Sequence, residues 1–215
     1  MYTEEFGLQS YLINSVRKSK AKVRQNTLSP LSLLDIVAYR KENRGLQRVS
    51  ELKNLSSRQS PPGIEKITVT IFLAEILNKT LKAEEPDPTL FSFIEESIRE
   101  LETEDFDSKF HLSFLLGLSR LMGFYPSLDY EEDFVFDLME GRYCPASFIT
   151  HAHFMEKDTS RALYELMSSE HPKSLAFPKI LRNKLLLSLL DYYQLHIPGF
   201  GILKSLEVLQ EVLND

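Results

Sequence analysis

Cysteine is almost missing from this chain. Cys144 stands alone, which excludes an intramolecular disulfide and a multi-cysteine zinc site and fits a reducing compartment. Long apolar runs are missing as well: none approaches the roughly 18 residues of a membrane span. The first residues, Met1-Tyr2-Thr3-Glu4-Glu5-Phe6-Gly7, have neither the basic start nor the apolar stretch of a secretory leader. A cytoplasmic protein is therefore the expectation. Several catalytic signatures are absent too, namely a glycine-rich phosphate loop, a His-Glu-x-x-His pair and a Gly-x-Ser-x-Gly elbow. Nothing assembles into a nucleophile and its base, so an enzyme is the weaker class.

What is present is a charge division that the net value of −6 conceals. Residues 1–66 hold 12 Lys/Arg against 6 Asp/Glu, a balance of +6, and the remaining residues carry 13 against 25, a balance of −12. Asymmetry of this kind points to a polyanionic partner for one half and says nothing of fold. At 215 residues the chain is long enough for two domains. The expected division is a basic β domain over 1–55, a linker over 56–63 rich in Ser, Pro and Gly, and an acidic helical domain over 64–215.

The β domain is expected from three segments with period-two patterning, Gln9 to Val16, Leu31 to Tyr39 and Leu46 to Leu52, with a turn at Asn43-Arg44-Gly45 between the last two. They predict an antiparallel meander too small to close a core by itself. The helical domain should begin with a helix on Ile64, Ile67, Ile71, Phe72, Leu73, Ile76, Leu77 and Leu81. Its apolar coverage exceeds the usual stripe of about 100°, which predicts a central buried helix whose only wet side is Lys66, Thr70, Asn78 and Lys82. Asp87-Pro88 predicts an N-cap and first-turn proline for a second helix. Ser108 is expected to cap a third, ended by Gly123. Residues 127–156 read as aperiodic and acidic. Later helices are expected over Asp158 to Met167, Lys179 to Tyr193 and Lys204 to Leu213, the middle one buried through its leucine run.

Between the first two β segments, Arg17, Lys18, Lys20, Lys22 and Arg24 place five cations in eight residues without an acid. Such a run is commonly a solvated loop; it is also what grips phosphates, each cation releasing a counterion on contact. Arg40, Lys41, Arg44 and Arg48 extend the positive track, and this favours the second reading. Tyr11 and Tyr39, with Phe6 behind them, are candidates for stacking on unpaired bases, although strand aromatics are often core. Cys144, His151 and His153 fall within ten positions, but their spacing matches no usual zinc pattern. His111 reads as a structural histidine. The acidic clusters at Glu84 to Asp87, Glu100 to Asp107 and Glu131 to Asp133 would repel nucleic acid, which confines such a ligand to the amino-terminal side.

Taken in order, Gly7 to Leu12, Leu28-Ser29-Pro30-Leu31-Ser32-Leu33-Leu34, Leu46 to Leu52, Phe72-Leu73-Ala74-Glu75-Ile76-Leu77, Glu84 to Phe91, Phe110 to Pro126 and Leu203 to Leu209 resemble the RecO family of bacterial recombination mediators, in its Bacteroidetes form. The resemblance implies an α+β protein, an amino-terminal OB-like β-barrel followed by an all-helical domain. The family usually begins with a further strand ahead of the position of Met1, so the barrel is expected to be incomplete. Some members carry a four-cysteine finger in the region corresponding to Asp137–Phe154; with Cys144 alone, no metal and no cofactor are expected. The implied function is non-catalytic: binding single- and double-stranded DNA, annealing strands, and loading RecA together with RecR and the acidic C-terminal tail of single-stranded DNA-binding protein. Lys109 beside Phe110 is the candidate for that tail's pocket. Two other readings compete, a helical protein-interaction scaffold without DNA binding and, more weakly, a metal hydrolase at Cys144, His151 and His153.

Overall fold

Alternation of side chains does organise the amino-terminal strands, but not in the expected direction. The computed structural model describes residues 1–13, 28–39, 46–56, 62–82, 85–103 and 105–214, and the chain divides into two compact units, Met1–Asp105 and Phe106–Asp215. The first unit opens with a hairpin of β1 (Tyr2–Thr3) and β2 (Gly7–Leu8). Then come β3 (Ser10–Leu12), β4 (Leu34–Tyr39) and β5 (Leu46–Asn54), in the order β3-β5-β4. β4 runs antiparallel to β5 with a bulge at Val37/Ala38, whereas β3 pairs with β5 in parallel. The expected antiparallel meander is thus corrected. Period-two patterning tells which face a residue takes, but not the direction of the neighbouring strand. Of the first segment, β3 takes Ser10–Leu12, and Asn14 to Val16 lie outside the described residues. Both sheets of this unit are open and no barrel closes among the described residues. The turn at Asn43-Arg44-Gly45 lies outside the described residues, as do 57–61 of the linker.

α1 (Ile64–Thr80) buries Thr68, Val69, Phe72, Leu73, Ile76, Leu77 and Thr80. The prediction that Lys66, Thr70, Asn78 and Lys82 form its only wet side does not hold. Ile64, Ile67 and Ile71 are 60%, 40% and 48% exposed, while Lys66 and Thr70 are half-buried. Lys66 Nζ donates to Thr103 O, and Thr70 Oγ1 donates back to Lys66 O (2.7 Å). One bond to a residue 37 positions on and one within the helix engage this polar edge, and the isoleucine stripe faces out in its place. α2 (Pro88–Glu102) starts as predicted: Asp87 Oδ1 accepts from Leu90 N (3.0 Å) with Pro88 in the first turn, and Leu90, Ile94, Ile98 and Leu101 are buried.

In the second unit α3 (Phe110–Leu121) is not capped by Ser108. The Ser108 hydroxyl accepts from Arg182 Nη1 (2.6 Å), and Asp107 Oδ1 takes the Lys109 N–H (2.9 Å) in its stead. The end is as predicted: Gly123 has φ +84°, and Phe124 N donates to Ser119 O (3.0 Å), the long bond of a left-handed helix stop. Residues 127–156, expected to be aperiodic, contain an antiparallel sheet of β6 (Phe134–Asp137), β7 (Arg142–Pro145) and β8 (Phe154–Met155) in the order β7-β6-β8. Val135, Phe136, Asp137 and Leu138 are buried in succession, so there was no alternation to detect. α4 (Lys157–Ser168), α5 (Lys179–His196) and α6 (Leu206–Asn214) complete the unit. α5 is less buried than its leucine run suggested, because Ile180, Leu187 and Leu195 are 76%, 39% and 39% exposed. Its inner face is pinned by two phenols, Tyr192 Oη donating to Phe124 O (2.7 Å) and Tyr193 Oη to Leu115 O (2.6 Å).

Candidate nucleic-acid interface

The outer face of the β3-β5-β4 sheet assembles one row of three side chains across three strands. Arg48 on β5 lies opposite Tyr39 on β4 and Leu12 on β3. Partners in register share a face, about 5 Å apart at Cβ. Tyr39 is 68% exposed and Leu12 44%, so an aromatic plane, a guanidinium and an aliphatic side chain lie side by side in water. Leu46 precedes this row and Val37 follows it, both about half exposed. Beyond Val37 the face turns polar through Asp35 opposite Lys53.

The strands place the two stacking candidates on opposite faces. Tyr39 follows the exposed positions Asp35 and Val37 of β4, whereas Tyr11 is half-buried between exposed Ser10 and Leu12 and borders the cavity beneath the sheet. Of the nine predicted cations, Arg48 is described and sits beside Tyr39. Arg17, Lys18, Lys20, Lys22, Arg24, Arg40, Lys41 and Arg44 lie outside the described residues. In the chain Arg40 and Lys41 follow directly on Tyr39. Sequence reasoning missed Leu12, Val37 and Leu46, although their alternation with inward residues was the available signal.

The other candidates sit in the second unit. Lys109 and Phe110 are 6% and 7% exposed. Lys109 Nζ pairs with Asp107 Oδ1 (2.8 Å) and reaches Lys173 O (3.3 Å), so its charge is engaged internally. Close by, Arg182 and His111 line a notch of about 10 Å³, room for one water. Burial first, then the Arg182 charge, lowers His111 to about 3, which keeps the ring neutral as a structural histidine would be. Cys144 stands on β7 opposite Val135, and burial, followed by the Asp137 charge, pushes its thiol up. His151 Nδ1 accepts from His153 N (3.2 Å), which turns Nε2 to Asp137 Oδ2 at 3.3 Å. That carboxylate already holds the β6–β7 turn by accepting from Met139 N (2.8 Å) and Glu140 N (3.1 Å). Among the described residues no three His, Cys, Asp or Glu side chains are grouped to hold a metal ion, and no helix is long and apolar enough to cross a membrane.

Comparison with known proteins bears on this arrangement directly. Residues 1–58 match the family described as Recombination protein O N terminal, and residues 62–207 match Recombination protein O C terminal. The chain belongs to the RecO family. Relatives named DNA repair protein RecO include one from Azobacteroides pseudotrichonymphae genomovar. CFP2, 36% identical over 219 residues that span 99% of this chain and 90% of the relative. One from Bacteroides fragilis is 34% identical across 100% of this chain and 90% of its own length, and one from Flavobacterium psychrophilum is 32% identical across 99% and 90%. Membership places the chain among DNA repair and recombination proteins. The α+β class is what the RecO resemblance implied, although the sheet β6–β8 interrupts a domain expected to be all-helical, and the row at Arg48 falls within the amino-terminal RecO match.

Proposed function

We propose that this RecO-family chain is a non-catalytic recombination mediator. It binds single- and double-stranded DNA through its basic amino-terminal half, promotes annealing, and loads RecA together with RecR and the C-terminal tail of single-stranded DNA-binding protein. The work is done in the cytoplasm at the nucleoid. In this reading residues 1–55, as an incomplete OB-like domain, hold DNA, and the acidic helical residues from 64 onward face the protein partners. The observation that carries it is the Leu12–Arg48–Tyr39 row, exposed on a sheet whose half of the chain has a balance of +6. The cations position the phosphate backbone and Tyr39 offers a plane to a base. Phosphate contacts carry little sequence information, so sequence preference is slight.

The test is fluorescence anisotropy of a labelled oligonucleotide across a salt series, with a variant in which Lys18, Lys20, Lys22 and Arg24 are Ala beside the unaltered chain. The expected result is a log affinity that falls with log salt, and in the variant a slope shallower by about 0.7 for each single-strand phosphate that is no longer neutralised. Absence of binding at low salt would refute the DNA reading in favour of the protein-interaction scaffold.

A further inference from the structure

α5 presents to solvent a stripe that the proposed function leaves unused. Ile180, Lys184, Leu187, Asp191 and Leu195 are all exposed. At about 100° per residue they fall within about 80° of one another, along a line roughly 22 Å long. The line reads apolar, cation, apolar, anion, apolar. Lys179, Arg182 and His196, the other charged or titratable residues of α5, lie more than about 100° around the helix from its middle.

That order is its own complement when reversed. Ile180 and Lys184 stand as far before the point between Leu187 and Ser188 as Leu195 and Asp191 stand after it. A two-fold axis through this point brings Ile180 level with Leu195 and Lys184 level with Asp191, and the two Leu187 side chains meet near the axis. A parallel pairing would instead set Lys184 against Lys184 and Asp191 against Asp191, so charge also fixes the direction.

Both charged groups have capacity left. Lys184 Nζ donates to Glu156 Oε2 (2.8 Å), which uses one of the three donors of an ammonium, and the Asp158 charge also acts on it. Asp191 accepts no hydrogen bond and enters no ion pair among the described residues; burial pushes its carboxyl up, and the His153 charge opposes this. We infer that α5 is a self-association face: two copies of this chain pair through antiparallel α5 helices, Lys184 of each bridging its own Glu156 and Asp191 of the other. A two-fold contact of one surface with itself closes, so it yields a dimer and not a filament. A single helix pair is a small interface, below the roughly 1,200 Å² at which stable complexes begin, so the dimer is concentration-dependent.

The test is sedimentation equilibrium of the full chain over a wide concentration range, beside K184D, D191K and their equal mixture. The unaltered chain is expected to pass from monomer to dimer as concentration rises. Each variant alone sets like charges opposite one another and should dimerise at least about tenfold more weakly. The mixture should recover the dimer, because K184D then offers an acid at both positions where D191K offers a base. L187K, which brings two cations together at the axis, should weaken association as well. A chain that stays monomeric at every concentration would overturn the inference. Variants that dimerise like the unaltered chain would place the contact on another surface, and a mixture no tighter than its components would remove the pairing of Lys184 with Asp191; either result overturns it.

Discussion

Replacing Tyr39 by Ala separates stacking from charge at the outer face. The side chain is 68% exposed, so little apolar area leaves the folded core and stability should change by no more than about 0.5 kcal/mol. Stacking of a base on an exposed ring is worth about 1–3 kcal/mol, which corresponds to roughly a 5- to 150-fold loss of single-strand affinity. No phosphate contact is removed, so the salt slope should stay where it was. Arg48→Ala is the complement. Arg48 sits level with Tyr39, and its removal should lower the slope by about 0.7 on single strands. Duplex DNA, whose bases are stacked on one another, should respond to Arg48→Ala and hardly to Tyr39→Ala. The assay is anisotropy with a single strand and its duplex over one salt series, with thermal melting of each variant as the control. A Tyr39→Ala protein that melts normally and binds single strands as tightly as the unaltered chain would refute the stacking argument. A shallower slope in both variants would refute the division of roles.

Three further expectations concern the second unit. Gly141 has φ +67°, and a Cβ there would sit 2.7 Å from Tyr192 Oη, so Gly141→Ala should cost about 1–2 kcal/mol for the left-handed backbone and disturb the Tyr192 bond to Phe124; an unchanged melting temperature would contradict this. Ser160 Oγ accepts from buried Phe136 N (2.8 Å) and donates to Met155 O (3.0 Å), so Ser160→Ala should cost about 1–3 kcal/mol in urea unfolding by leaving that N–H unmet. His111 is lowered from 6.5 to about 3, so its contribution is intact above 6.5 and drains away as pH falls toward 3, by up to about 1.4 kcal/mol per pH unit. The pH slope of unfolding free energy in that window should therefore be shallower in His111→Gln, and equal slopes would contradict the assignment.

What could be read from the chain alone were features fixed by a few neighbouring residues. Asp87-Pro88 starts a helix because the carboxylate meets an N–H three residues on, and Gly123 stops one because it tolerates positive φ. What escaped depends on distant partners. Ser108 has the chemistry of a cap, yet Arg182, far along the chain, claims its hydroxyl at 2.6 Å. The isoleucines of α1 have the chemistry of a core, yet Lys66 reaches Thr103 O and turns the other edge inward. Lys109 beside Phe110 was the candidate for a partner-tail pocket, and its ammonium is held between Asp107 at 2.8 Å and the carbonyl of Lys173, 64 residues on, at 3.3 Å. The candidate cations were visible as composition, whereas Leu12 and Leu46 needed the pairing of β3 with β5 to join them to Arg48.

That pairing also decides which side chains each face of one thin sheet receives. Tyr11 and Tyr39 are the same residue type on strands of the same sheet, and nothing in their local sequence separates an inner ring from an outer one. Register separates them. With Tyr11 level with Gln47 and Leu12 level with Arg48, Tyr11 turns to the cavity beneath the sheet and Leu12 to the face that carries Tyr39. A slip of β3 by one residue would exchange their directions, bringing a second ring beside Arg48 and an aliphatic side chain to the cavity. The bulge at Val37/Ala38 has a related consequence on the other flank. It lets Val37, opposite Glu51, and Tyr39, opposite Arg48, remain on one face although their β5 partners are three residues apart. The outer apolar track is therefore continuous from Leu12 to Val37 because of one parallel pairing and one extra residue. Deleting Ser50, the residue of β5 that faces no described partner in register, should flip part of that track inward, and a loss of single-strand binding with the helices still folded would be its signature.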